Sequence, residues 1–114
     1  MVFKIGNLSD LDSLPLMDDT TMKVLYHHAK TLSTEYGENR NIDNSDGGYV
    51  LYAVPGTNKA DLKAFFDVSM HTPEYVNTYG SLCEAVYLLT NDFAVVIVMS
   101  ITDAPTEILN EIDA

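Results

Sequence analysis

Cys83-Glu84-Ala85-Val86-Tyr87-Leu88-Leu89-Thr90-Asn91-Asp92-Phe93-Ala94-Val95-Val96-Ile97-Val98-Met99-Ser100-Ile101 is the stretch that decides the fold. It holds two apolar runs, Cys83 to Leu89 and Phe93 to Ile101, around Thr90-Asn91-Asp92. Runs rich in β-branched and aromatic residues, broken by turn formers, predict an antiparallel hairpin. Asn91 and Asp92 fall at its tip, where their side chains tolerate positive φ. A two-residue loop would set Leu89 opposite Ala94, Tyr87 opposite Val96 and Ala85 opposite Val98, with Leu88–Val95 and Val86–Ile97 on the other face. Both faces are then apolar, so the sheet needs cover on both sides.

Working outward, Tyr49 to Val54 reads as a further strand closed by Pro55-Gly56. Met22, Leu25, Ala29, Leu32 and Tyr36 recur at helical steps, with Asp18 or Asp19 as the N-cap and Gly37 as the stop. Asn58 caps a second helix, with Asp61 three residues on and Leu62, Phe65 and Phe66 facing inward. Thr102 or Asp103 caps a last one, with Pro105 in its first turn and Ile108, Leu109 and Ile112 inward. Residues 38–48 are expected to form a polar loop. Residues 1–16 carry Leu8, Leu11 and Leu14 at steps of three, which fits either a helical turn or an extended arm. The expected fold is α+β: an antiparallel sheet of at least three strands (about 48–54, 83–90, 93–101) packed against helices (about 18–36, 58–68, 104–112) in a single domain, 1–114. Three short helices cover one sheet face more readily than two. The second face is therefore expected to need the N-terminal arm, the 70s segment or another copy of the chain, which makes a homodimer one expectation.

Seventeen acidic residues against six basic ones give a formal charge of -11, on a chain that is 46% hydrophobic. That pairing describes a folded domain with a negative surface rather than a disordered acidic tail. The six cations are scattered, so direct binding of nucleic acid is not expected, and an anionic membrane is disfavoured for the same reason. A basic protein surface would instead be attracted. Cys83 has no second cysteine to pair with and reads as a buried thiol in a reducing cytoplasm. The N-terminus lacks the pattern of a signal peptide, and no apolar run is long enough to span a bilayer.

The candidate motifs have ordinary structural explanations. Asp43 to Gly48 fails as a calcium loop, because either glycine register misplaces the required acids. His27 and His28 are adjacent on one helix and point about 100° apart, so they cannot share an ion. His28 should border the core and His27 should lean toward solvent. Cys83 lacks a glycine-rich nucleophile turn, and the 54–59 turn lacks a phosphate loop's Gly-Lys-Ser/Thr. No catalytic residue, metal ligand or cofactor is expected. The seven tyrosines are more informative, since tyrosine joins an apolar body to a polar tip and favours interfaces.

Gly47-Gly48-Tyr49-Val50-Leu51-Tyr52, Leu62-Lys63-Ala64-Phe65-Phe66-Asp67 and Ala85-Val86-Tyr87-Leu88-Leu89-Thr90-Asn91-Asp92 resemble small acidic accessory proteins carried by mobile elements of gut anaerobic bacteria. The resemblance implies an accessory gene acting on host defence and assigns no site residue. The leading expectation is a non-enzymatic module that engages a basic protein surface. Its contact residues would be Asp18, Asp19, Glu35, Glu38, Asp43, Asp46, Tyr75 and Tyr79. The alternatives are a small-molecule or enzymatic pocket near His71 and Tyr75, or a structural homodimer.

Overall fold

The computed structural model describes residues 1–38 and 47–112. Five strands form one sheet in the order β1-β2-β5-β4-β3: β1 (Val2–Ile5), β2 (Gly47–Ala53), β3 (Tyr75–Tyr79), β4 (Leu82–Thr90) and β5 (Phe93–Ser100). Three helices complete the fold: α1 (Asp19–Tyr36), α2 (Lys59–Lys63) and α3 (Thr106–Ile112). The sheet is mostly antiparallel, as expected, but β2 runs parallel to β5. β5 is thus the central strand, buried on both faces, which is why it reads as an unbroken apolar run.

Two strands escaped the sequence reading. Val2–Ile5 pairs antiparallel with β2, and Tyr75–Tyr79 pairs antiparallel with β4, so the two supply the sheet's edges. The hairpin tip lies where expected, with Thr90 opposite Phe93, but the register beyond it is shifted. A bulge between Leu88 and Thr90 places Leu88 opposite Ala94, Tyr87 opposite Val95 and Val86 opposite Val96. One extra residue on one strand moves every later pair by one position. Among the described residues no non-glycine has positive φ, so Asn91 and Asp92 do not use that freedom.

Gly48 is demanded by close approach. Its φ is +91°, and a Cβ there would sit 1.7 Å from the Ala94 carbonyl oxygen of the neighbouring strand.

The helix ends follow local chemistry. The Asp18 carboxylate accepts from the Thr21 backbone N–H at 2.7 Å, and Asn58 accepts from the Asp61 N–H at 2.9 Å. α2 ends at Lys63, several residues earlier than expected. Asp67 accepts from the Ser69 N–H and hydroxyl, holding a separate 3₁₀ turn at Val68–Met70. Phe65 is consequently exposed, against expectation, while Leu62 and Phe66 are buried. α3 starts at Thr106, just after Pro105. The Leu8-Leu11-Leu14 spacing is explained by a 3₁₀ turn over Leu8–Ser13, whose three-residue period stacks these leucines along one side.

The chain itself covers both faces of the sheet. Leu25, Ala29 and Leu32 of α1, with the N-terminal 3₁₀ turn, pack on Val50, Tyr52, Val86, Val96 and Val98. Leu62, Phe66, Val68 and Ile108 pack on Leu51, Ala85, Tyr87, Val95 and Ile97 on the opposite side. The 70s segment is the edge strand β3, not a cover. Among the described residues no helix is long and apolar enough to cross a membrane.

Candidate functional site

One 18-residue helix lies on one face of five strands. Strands about 4.8 Å apart make such a sheet about 19 Å wide, whereas a helix is about 10 Å across. α1 packs on β2 and β5. β3 and the end of β4 are left largely exposed to one side of it, and an open trough follows from that mismatch of widths. Its outer wall is β3, whose Tyr75, Asn77 and Tyr79 share the α1 face with Glu84 and Val86 of β4. Tyr75, Tyr79 and Leu88 are 47%, 42% and 57% exposed.

The trough has two chambers. The larger, of about 340 Å³, lies between the last turns of α1 (His27, His28, Thr31, Glu35 and Tyr36) and the sheet, reaching from Val50 of β2 across Ala94 and Val96 of β5 to Val86 and Leu88 of β4 and Tyr75 of β3, with Asp92 at the hairpin tip. The other, of about 320 Å³, lies between Thr20, Lys23, Val24 and His27 of α1 and Tyr79 and Glu84. His27 borders both.

Glu84 and His28 bridge the trough between these chambers. Glu84 is the lone charged residue of β4 and β5, and it is 4% exposed. One carboxylate oxygen, Oε2, meets Nε2 of His28. The other, Oε1, accepts from the Asn77 side-chain amide at 3.0 Å and from the Tyr79 hydroxyl at 3.5 Å. The His28 hydrogen bond holds the Glu84 carboxyl below its ordinary value, opposed by burial and helped by Asn77. Burial first, and then the charge of Glu84, push the Tyr75 and Tyr79 hydroxyls up, so both remain neutral donors near pH 7. This buried carboxylate has partners on both oxygens, as a charge in such a place requires.

Glu84 was missed in the sequence. The signal was there: a single acid inside an otherwise apolar strand, on a position that alternation assigns to a buried face. His28 borders the core and His27 lies outside it, as expected.

The other expected contact residues are dispersed. Asp18 and Asp19 start α1, whereas Glu35 and Glu38 lie at its far end, roughly 24 Å away at 1.5 Å rise per residue. Of these, Glu35 borders the larger chamber. Asp43 and Asp46 lie outside the described residues. Further acids, Asp61, Asp67, Glu107 and Glu111, sit on the α2–α3 side, where Lys59 bridges Glu107 at 2.8 Å. Tyr75 and Tyr79 are brought together on one wall.

His71 and Tyr75 do not share a pocket. The His71 ring stacks on Phe66 at 4.7 Å, on the opposite face of the sheet from Tyr75. Cys83 is fully buried on that same opposite face, and burial pushes its thiol up to about 11, leaving it protonated and inert. Among the described residues, no cluster of three or more His, Cys, Asp or Glu side chains is arranged to hold a metal. Comparison with protein-family models, with curated proteins and with solved structures returns no match, so the account of this chain rests on its own residues.

Proposed function

We propose that this chain is a non-enzymatic binding module that takes a basic segment of a partner protein into the trough between α1 and β3. The observation that carries the reading is the trough itself: exposed Tyr75, Tyr79 and Leu88 facing α1 across a buried, fully partnered carboxylate. Tyrosine-rich concave surfaces with an apolar floor favour protein contacts. The net charge of -11 selects the sign of the partner and steers its approach. The dispersed carboxylates act through this summed field rather than as one patch. An accessory role that blocks a basic surface of a host-defence protein is compatible with such a module.

The reading is tested by fluorescence anisotropy with matched synthetic peptides, one rich in arginine and one in glutamate, at low and high salt. The arginine peptide is expected to bind, to weaken with salt, and to lose about ten-fold or more in affinity with Tyr75→Ala/Tyr79→Ala. Equal binding of both peptides, or indifference to the tyrosine changes, would refute it.

A second reading is favoured by the Glu84–His28 pair. A carboxylate that orients an imidazole at the edge of a cavity is a recurrent acid–base arrangement, which suits a small-molecule or enzymatic site in the larger chamber. Asn77 and Tyr79 also hold that carboxylate, and a bridge joining α1 to β4 accounts for it equally well as structure. His28→Gln separates the two: a bridge predicts lost stability alone, and a catalytic pair predicts lost turnover.

A further inference from the structure

The two edges of the sheet are built differently. β1 has four residues, includes Lys4, and is tied at its start, where the Val54 N–H donates to the Met1 carbonyl and the Met1 ammonium donates to Thr57. β3, Tyr75-Val76-Asn77-Thr78-Tyr79, has five residues, none of them charged and none proline. Its side chains are exposed apart from Val76, α3 packs against it on the face opposite α1, and among the described residues β4 is its one partner strand, which leaves its outer backbone edge unpaired by a strand. Edge strands are commonly protected by charge, proline, a bulge or a cover, because their outward N–H and C=O groups are a template for another strand. β3 has β-forming residues at every position but Asn77, and no charge or proline to protect it.

We propose that β3 is a strand-addition site, and that its occupant is an extended segment of a basic partner. This deepens the function proposed above and rests on it. Charge decides between the candidate occupants. A second copy would bring another -11 to the same edge, whereas a cationic strand is attracted to it. The side chains of β3 set the pattern. Tyr75 and Tyr79 stand on the α1 face four residues apart, about 13 Å along the strand. A residue opposite each tyrosine in an added strand lies within cross-strand contact distance. Arginines at i and i+4 of the incoming segment would therefore stack on the two rings, their charge favoured by ring faces and by nearby Glu84. The backbone of the added strand supplies the affinity, and the arginine spacing supplies the selection.

The test uses the intact chain and three probes: a short peptide of alternating threonine and valine carrying arginines at i and i+4, the same peptide N-methylated at alternate amides, and its glutamate counterpart. Binding is read by anisotropy, and β3 amide protection by hydrogen exchange. The arginine peptide is expected to bind and to slow exchange of β3 amides about ten-fold or more. N-methylation is expected to weaken binding by about ten-fold, because it removes backbone donors while keeping the charge. The glutamate peptide should not bind. If the N-methylated peptide binds as well as its parent, strand addition is overturned while binding in the trough stands. If neither basic peptide binds, both ideas fall. If light scattering finds a dimer whose β3 amides are already protected without peptide, the occupant is a second copy and the inference is overturned.

Discussion

The two faces of the sheet solve the same burial problem with different materials. On one, a single long helix with the N-terminal 3₁₀ turn beside it lies over a sheet twice the helix's width, leaving a trough in which the sole charged residue of β4 and β5 is held by three partners. On the other, α2, α3 and a 3₁₀ turn spread over the strands and bury Cys83, Ala85 and Tyr87 completely. There the Tyr87 hydroxyl is buried and has no hydrogen-bond partner among the described residues. Burial pushes that hydroxyl up to about 12, with Glu107 adding to the effect. Short pieces tile a wide surface better than one long rod. The long rod leaves the surface that a ligand can use.

The largest effects should come from cutting into either layer. Leu25→Ala in α1 and Ile108→Ala in α3 each remove a fully buried side chain and are expected to cost about 2–5 kcal/mol in urea unfolding. A single transition, seen alike by probes on both faces, is expected because the same strands carry both cores. A separate early transition of the α2–α3 layer would break the comparison.

Next comes the polar bridge. Glu84→Ala leaves His28 and Asn77 without their acceptor and should cost roughly 1–3 kcal/mol. Its pH dependence has a definite sign. The folded-state pKa of Glu84 is depressed, so the stabilisation is fully present above the unfolded value of about 4.3 and is lost as pH falls through the lower folded value. The stability gap between the native chain and Glu84→Gln should therefore shrink as pH falls below about 4. A gap that persists undiminished in acid would contradict the ionised bridge.

The smallest effect belongs to the opposite face. Tyr87→Phe removes a buried hydroxyl that has no partner among the described residues, and should change stability by less than about 1 kcal/mol, neutral or favourable. A clear loss would mean that the hydroxyl has a partner.

The sequence disclosed these two faces unequally. The hairpin, α1 and its caps were legible because apolar periodicity and side-chain caps are local signals. β1 and β3 were not. Tyr75 to Tyr79 carries polar groups on alternate positions, which is how an edge strand beside a trough must look and also how a loop looks. The parallel pairing of β2 with β5 depends on the whole chain path and leaves no local mark. The bulge near Leu89 was hidden for a similar reason, since nothing in Leu88-Leu89-Thr90 distinguishes a bulged leucine from a paired one. Glu84 could have been found as a charge at a buried strand position, but its partner His28 lies 56 residues away, and only the fold joins them.

The trough left open by α1 is the claim on which the functional account turns. Its most direct test is a map of backbone and side-chain NMR shifts as an arginine-rich peptide is added to saturation. Changes are expected to concentrate at His27, Thr31, Tyr75, Tyr79, Glu84 and Leu88. Changes centred on α2 and α3, or spread evenly over the acidic surface, would contradict it.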